Sequence, residues 1–134
     1  MTIDQTQANA VLDDLLGSSH YHATLYLALF TSNPGVTGSA AGEPSGNAYA
    51  RVAITQNNTN WPAAATGAKA SGAAFTFPVA NPAGWSTITY AGLCVSATPG
   101  TNDVIMSGAL TTPTLVTANM QPTFNVGDLT AALS

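Results

Sequence analysis

The segment HATLYLALFT, residues 22–31, alternates with a period of two: Ala23, Leu25, Leu27 and Leu29 fall on one face, and Thr24, Tyr26, Ala28 and Phe30 on the other. Successive side chains of an extended chain point to opposite sides. Both faces of this strand carry apolar groups, so both are expected to be covered largely by other elements. Asn33-Pro34-Gly35 ends it with a turn signal.

Upstream of this strand the period is helical. Ala8, Val11, Leu12, Leu15 and Leu16 form one apolar stripe, and Gln7, Asn9, Asp13 and Asp14 lie opposite. A helix over about residues 4–16 follows, with Asp4 as N-cap, Ile3 and Ala8 as a staple, and Gly17 as the C′ residue. The alternative for this segment is an arm that docks on a neighbouring subunit.

Downstream, residues 35–47 hold Gly, Ser, Pro and Ala in place of large side chains and read as a long surface loop. Strands are expected at residues 48–55, 73–78, 87–96, 104–110, 114–117, 123–126 and 129–133, with Gly92 at a bulge. A polar loop at residues 56–67 carries Trp61-Pro62, and the prolines fall between or at the ends of the strands. The expected fold is mainly β, a single β-sandwich or barrel-like domain of seven to eight antiparallel strands with one N-terminal α-helix. One domain covers residues 1–134, its β part at about 22–133.

Composition narrows the function. Of 134 residues only 2 are Lys or Arg and 6 are Asp or Glu, a charged fraction of 6% and a net charge of −4. An ordinary soluble domain carries roughly 25% charge. Arg51 and Lys69 alone cannot make the basic stripe that phosphate backbones require, so no nucleic-acid partner is expected. No apolar run approaches the roughly 20 residues of a membrane span, and the N-terminus lacks the charged and apolar regions of a signal peptide. Synthesis in the cytoplasm is the expectation. The 46% apolar content includes 24 Ala, so the core is thin and the surface is built from Thr, Ser, Asn, Ala and Gly. Neutral groups of that kind are cheaper to desolvate than ions. Such a surface suits self-association, with a closed symmetry such as a trimer as the expected form.

The residues that could carry chemistry form no convincing set. His20 and His22 share a face of an extended segment and are the only pair with metal-ligand spacing, but no third ligand is singled out. Exposed imidazoles in a helix-to-strand connection are the simpler reading. Ser18 and Ser19 beside His20 lack a nucleophile elbow, and Asp13 and Asp14, being consecutive on a helix, point in different directions. Cys94 lies between Leu93 and Val95 and reads as a buried apolar residue. Arg51 is expected to pair with an acid such as Glu43. Trp61 and Trp85 suit core or interface packing better than stacking on sugars. No enzyme activity and no cofactor are expected.

With the strands placed, a family resemblance emerges. Leu25-Tyr26-Leu27-Ala28-Leu29-Phe30-Thr31, Gly46-Asn47-Ala48-Tyr49-Ala50-Arg51-Val52-Ala53 and Asn60-Trp61-Pro62-Ala63-Ala64 come first in order. Ala74-Phe75-Thr76-Phe77-Pro78, Trp85-Ser86-Thr87-Ile88-Thr89-Tyr90-Ala91-Gly92-Leu93, Ser107-Gly108-Ala109-Leu110 and Val126-Gly127-Asp128-Leu129 follow. Together they resemble small virion proteins of tailed bacteriophages, often labelled tail fibre proteins. The resemblance implies a non-enzymatic, β-rich subunit of the particle, present in many copies. It brings no catalytic residues with it.

A continuous fibre shaft needs a repeat or a heptad pattern, and the chain has neither. Capsid decoration, as a cement protein bound to the major capsid protein, is therefore the expected role. A tail-associated fibre or adaptor component is the alternative, and a carbohydrate-binding module for host attachment a weaker one. Interface candidates are Gly35, Glu43 and Asn47 in the long loop, with Trp61 and Pro62 in the next.

Overall fold

The computed structural model describes residues 3–17 and 22–133. Their elements run α1 (Gln5–Leu16), β1 (Thr24–Phe30), β2 (Val52–Thr55), β3 (Ala68–Ala70), β4 (Phe75–Thr76), β5 (Ser86–Cys94), β6 (Val104–Val116), β7 (Thr123–Phe124) and β8 (Thr130–Ala132). The fold is mainly β with a single N-terminal helix, as expected. The sheets are open and antiparallel: one of four strands in the order β2-β1-β5-β6, and two of two strands, β3-β8 and β4-β7. No barrel closes among the described residues, which leaves the sandwich-like class.

The chain divides into two compact units. The first draws, in its described parts, on Met1–Thr24, Ile54–Phe75 and Phe124–Ser134. The second comprises Leu25–Ala53 and Thr76–Thr123.

In the first unit α1 starts where Asp4, in extended conformation, accepts a hydrogen bond from the Thr6 amide. Its buried face is Ala8, Leu12 and Leu16, whereas Val11, expected in the stripe, is 46% exposed. Each fully buried leucine contributes roughly 1.5–3 kcal/mol. Gly17 ends the helix differently from the expectation. Its φ is −89°, so it is no left-handed cap; its amide donates to the Asp13 carbonyl, and a Cβ there would collide with that same oxygen. Glycine is needed for close approach, not for a positive φ.

Polar contacts from loops hold α1 in place. Lys69 Nζ in β3 donates to Asp13 Oδ1 at 2.6 Å, and the Ala64 amide donates to the same oxygen. The Gly67 amide donates to Asn9, and Gln56 Nε2 to the Leu15 carbonyl. Trp61 and Phe75 pack with ring centroids 6.3 Å apart. β3 falls where no strand was expected: Ala-Lys-Ala offers no alternation of large apolar groups, and it is paired with β8 through Ala68–Ala132, Lys69–Ala131 and Ala70–Thr130.

In the second unit β1 sits between β2 and β5, and Leu27 to Phe30 are buried on both faces, as the alternation requires. β1 and β5 pair in continuous register from Tyr26–Cys94 to Phe30–Tyr90. Gly92 lies inside that register and is no bulge; a Cβ on it would press on Met106 O at 2.9 Å and on the Phe30 ring at 3.1 Å. The irregularities are on β6. Leu93 pairs with Met106 and Cys94 with Val104, which leaves Ile105 extra, and residues 110–113 loop out between the Tyr90–Ala109 and Ile88–Thr114 pairs. The two strands expected at 104–110 and 114–117 are thus one bulged strand.

Candidate interaction surface

Residues 31–51 connect β1 to β2 without regular structure, and left-handed residues shape their path. Gly35 has φ +72° at an exposed position, its amide bonded to Asn33 Oδ1 at 2.8 Å, and the following Val36 is fully exposed. Gly46, Asn47 and Ala48 are consecutive left-handed residues. They end the strand expected from residue 48 and delay β2 to Val52. Asn47 is locked by its backbone: its carbonyl accepts from Trp85 Nε1 at 3.0 Å and from the Asn81 amide at 3.0 Å, while its side chain donates to the Gly84 carbonyl.

Beneath this loop lies an ionic cluster. Arg51 Nε and Nη2 donate to the two oxygens of Glu43, each at 2.8 Å, and Nη1 donates to Asp103 at 2.9 Å. The remaining guanidinium hydrogens reach the Ser96 and Thr101 carbonyls. The expected Arg51–Glu43 pair is present. Asp103, 52 positions away from Arg51, is the partner that the sequence did not single out.

Glu43 also accepts from the Tyr49 hydroxyl and the Gly100 amide, and Asp103 from the Ser96 amide. The Tyr49 hydroxyl in turn accepts from the Leu29 amide in β1. Burial acts to lower the Arg51 pKa, but its hydrogen bonds to Glu43 and Asp103 outweigh it and hold the guanidinium above its ordinary value. Burial raises the Tyr49 phenol well above its usual range and pushes the neighbouring Cys94 thiol up to about 12. Cys94 is therefore a buried apolar residue without thiolate character at neutral pH.

The side chains of Arg51, Glu43 and Asp103 are 0%, 1% and 7% exposed. They are the only Asp, Glu, Lys or Arg residues in the second unit. That unit consequently presents no exposed ionised side chain. The exposed acids Asp4, Asp14 and Asp128 all belong to the first unit.

The uncharged surface of the second unit includes most of β6. This strand is at the edge of the four-stranded sheet, and of its residues only Val116 is buried. Ile105 and Leu115 are 40% and 57% exposed. Beyond β6, Met120 joins Val79 as exposed apolar groups where Ala80 and residues 119–120 exchange backbone hydrogen bonds.

The other expected site residues fall as follows. Trp61 is 1% exposed and packs inside the first unit, while Pro62 is exposed and lines an open depression of about 370 Å³ with Ala63, Ala70, Val126 and Thr130. Trp85 is 3% exposed and packs edge-on against Tyr49 at 5.2 Å. Neither tryptophan offers a face to a sugar, which removes the stacking residues on which a carbohydrate-binding reading rests. His20 lies outside the described residues, and His22 is half-buried before β1. Among the described residues no three His, Cys, Asp or Glu side chains gather into a metal-binding group, and no helix is long and apolar enough to cross a membrane.

Comparison with curated proteins finds no match. In comparison with protein families, a model described as Podophage GP4 fiber I protein gp80 matches residues 2–132. With nearly the whole chain covered, the protein belongs to the Podophage GP4 fiber I protein gp80 family and is a fibre-type structural protein of a tailed-phage virion.

Proposed function

We propose that the protein is a non-enzymatic, self-associating subunit of a tail-associated phage fibre. The observation that carries the self-association is the absence of exposed ionised side chains on the second unit. Ions at a surface must be paired or stripped of water when it is covered. This surface carries none, so a neighbour can cover it without that cost. The family description supports the fibre setting. The non-enzymatic reading is supported by the side chains themselves. Asp13 is bonded to Lys69, Glu43 and Asp103 are bonded to Arg51, and the Cys94 thiol is held protonated by burial.

Capsid decoration is the second reading, with the major capsid protein as partner. It is favoured by the lack of any repeat or heptad that would build a continuous shaft. The two readings differ in copy number. Quantitative mass spectrometry of purified virions should find the protein well below the copy number of the major capsid protein. Equal copy numbers would reverse the order of the two readings.

A further inference from the structure

We propose that β6 is a self-association strand, and that a second copy of this chain pairs antiparallel along its open edge at residues 106–109. The proposal rests on the self-association reading above and is independent of where on the virion the protein sits. Among the described residues the edge is closed only at its start, where the Val104 amide donates to the Gly38 carbonyl at 3.3 Å. Among the described residues, sheet order leaves the outer side of the strand without a neighbour from Ile105 onward. An unpaired row of backbone donors and acceptors is a template for another strand. Soluble proteins usually block such an edge with lysines or other charges, but residues 104–116 contain no charged side chain.

The bulges leave one regular stretch, residues 106–109, still in register with residues 90–93 of β5. Ser107, Gly108 and Ala109 are small and exposed, and a Cβ built on Gly108 meets nothing within 4 Å. Another backbone can therefore approach closely there.

Charge identifies the occupant. A partner bearing ions would have to desolvate them against a surface that offers no counter-ion, whereas a second copy brings the same ion-free face. The acids behind the net charge of −4 that remain exposed all lie in the first unit. Residues 106–109 span about 13 Å of extended chain. A standard interface of roughly 800 Å² per partner is more than these four residues can cover. The contact must therefore include the exposed apolar groups Ile105 and Leu115 on β6, with Met120 and Val79 beyond its end.

Sedimentation velocity of the full chain over a range of concentrations tests this. The wild type should self-associate, and Ser107→Lys/Ala109→Lys should weaken association by roughly tenfold or more while remaining folded. Val36→Lys, on the loop, should change nothing. In an antiparallel pair a residue near the two-fold axis faces its own copy. One of Met106→Cys, Ser107→Cys, Gly108→Cys or Ala109→Cys should therefore form a disulfide-linked dimer on mild oxidation, with buried Cys94 silent. A wild type that stays monomeric throughout, or a folded lysine variant that associates like wild type, overturns the proposal. Should the lysine variant fail to fold, the absence of cross-linking at all four cysteine positions overturns it. Cross-linking of β6 in virions to a different protein, with the purified chain monomeric, also overturns it and names another occupant.

Discussion

Arg51 holds its surroundings together through both of its acidic partners. Removing the guanidinium leaves two carboxylates with side chains 1% and 7% exposed and no cation. Arg51→Met should therefore cost about 3–5 kcal/mol, read as a lower urea midpoint by circular dichroism. Arg51→Lys should recover only part of this, because an ammonium cannot reproduce the two-pronged contact with Glu43. Asp13 behaves differently because its side chain is 43% exposed and solvent screens the pair with Lys69. The hydrogen bond from Lys69, then that from the Ala64 amide, lower its pKa below the ordinary 3.8. A depressed carboxylate pKa stabilises the folded state above the unfolded value, and that contribution is lost as pH falls through the folded value. Thermal melts should show a stability loss below about pH 4 that Asp13→Asn reduces, with little difference between the two proteins at the acidic end.

At the level of elements, legibility followed the size of the side chains. β1 was readable because Leu25, Leu27, Leu29 and Phe30 alternate with bulk on both faces, and α1 because its leucines recur at helical spacing. β3 was not, since Ala68 and Ala70 leave no pattern and Lys69 is a cation that only the ion pair with Asp13 allows to be buried. The late start of β2 was hidden for another reason. Ala48 has φ +61°, a conformation disfavoured for residues with a Cβ and therefore not expected from its sequence. The helix provides the sharpest stability test. Leu12 is fully buried on the face of α1, so Leu12→Ala should lower stability by about 2–5 kcal/mol in chemical denaturation. Val11→Ala, at a residue 46% exposed on the same helix, should change it by less than about 0.5 kcal/mol.

Across the whole molecule, the low charge count carried no location of its own. Composition predicted a surface that is easily covered. The structure places the ion-free surface on the second unit, where one cluster internalises every Asp, Glu, Lys and Arg side chain of that unit. Half of the cluster could be read in advance. Glu43 is 8 positions from Arg51 and was an evident partner, whereas Asp103 reaches it only through the fold. The loop tryptophan illustrates the opposite error of emphasis. Trp61 among small polar residues resembles a surface anchor, yet it is 1% exposed, because the packing partner that buries it, Phe75, lies beyond its own loop. The virion role was legible only as an ordered set of short segments, none of which has a chemical signature of its own. Immunogold electron microscopy of intact virions, using antibody raised against this chain, shows whether the protein is a subunit of a tail fibre. Label confined to fibres at the tail is the predicted result; label distributed over the whole capsid, or none on the particle, would contradict it.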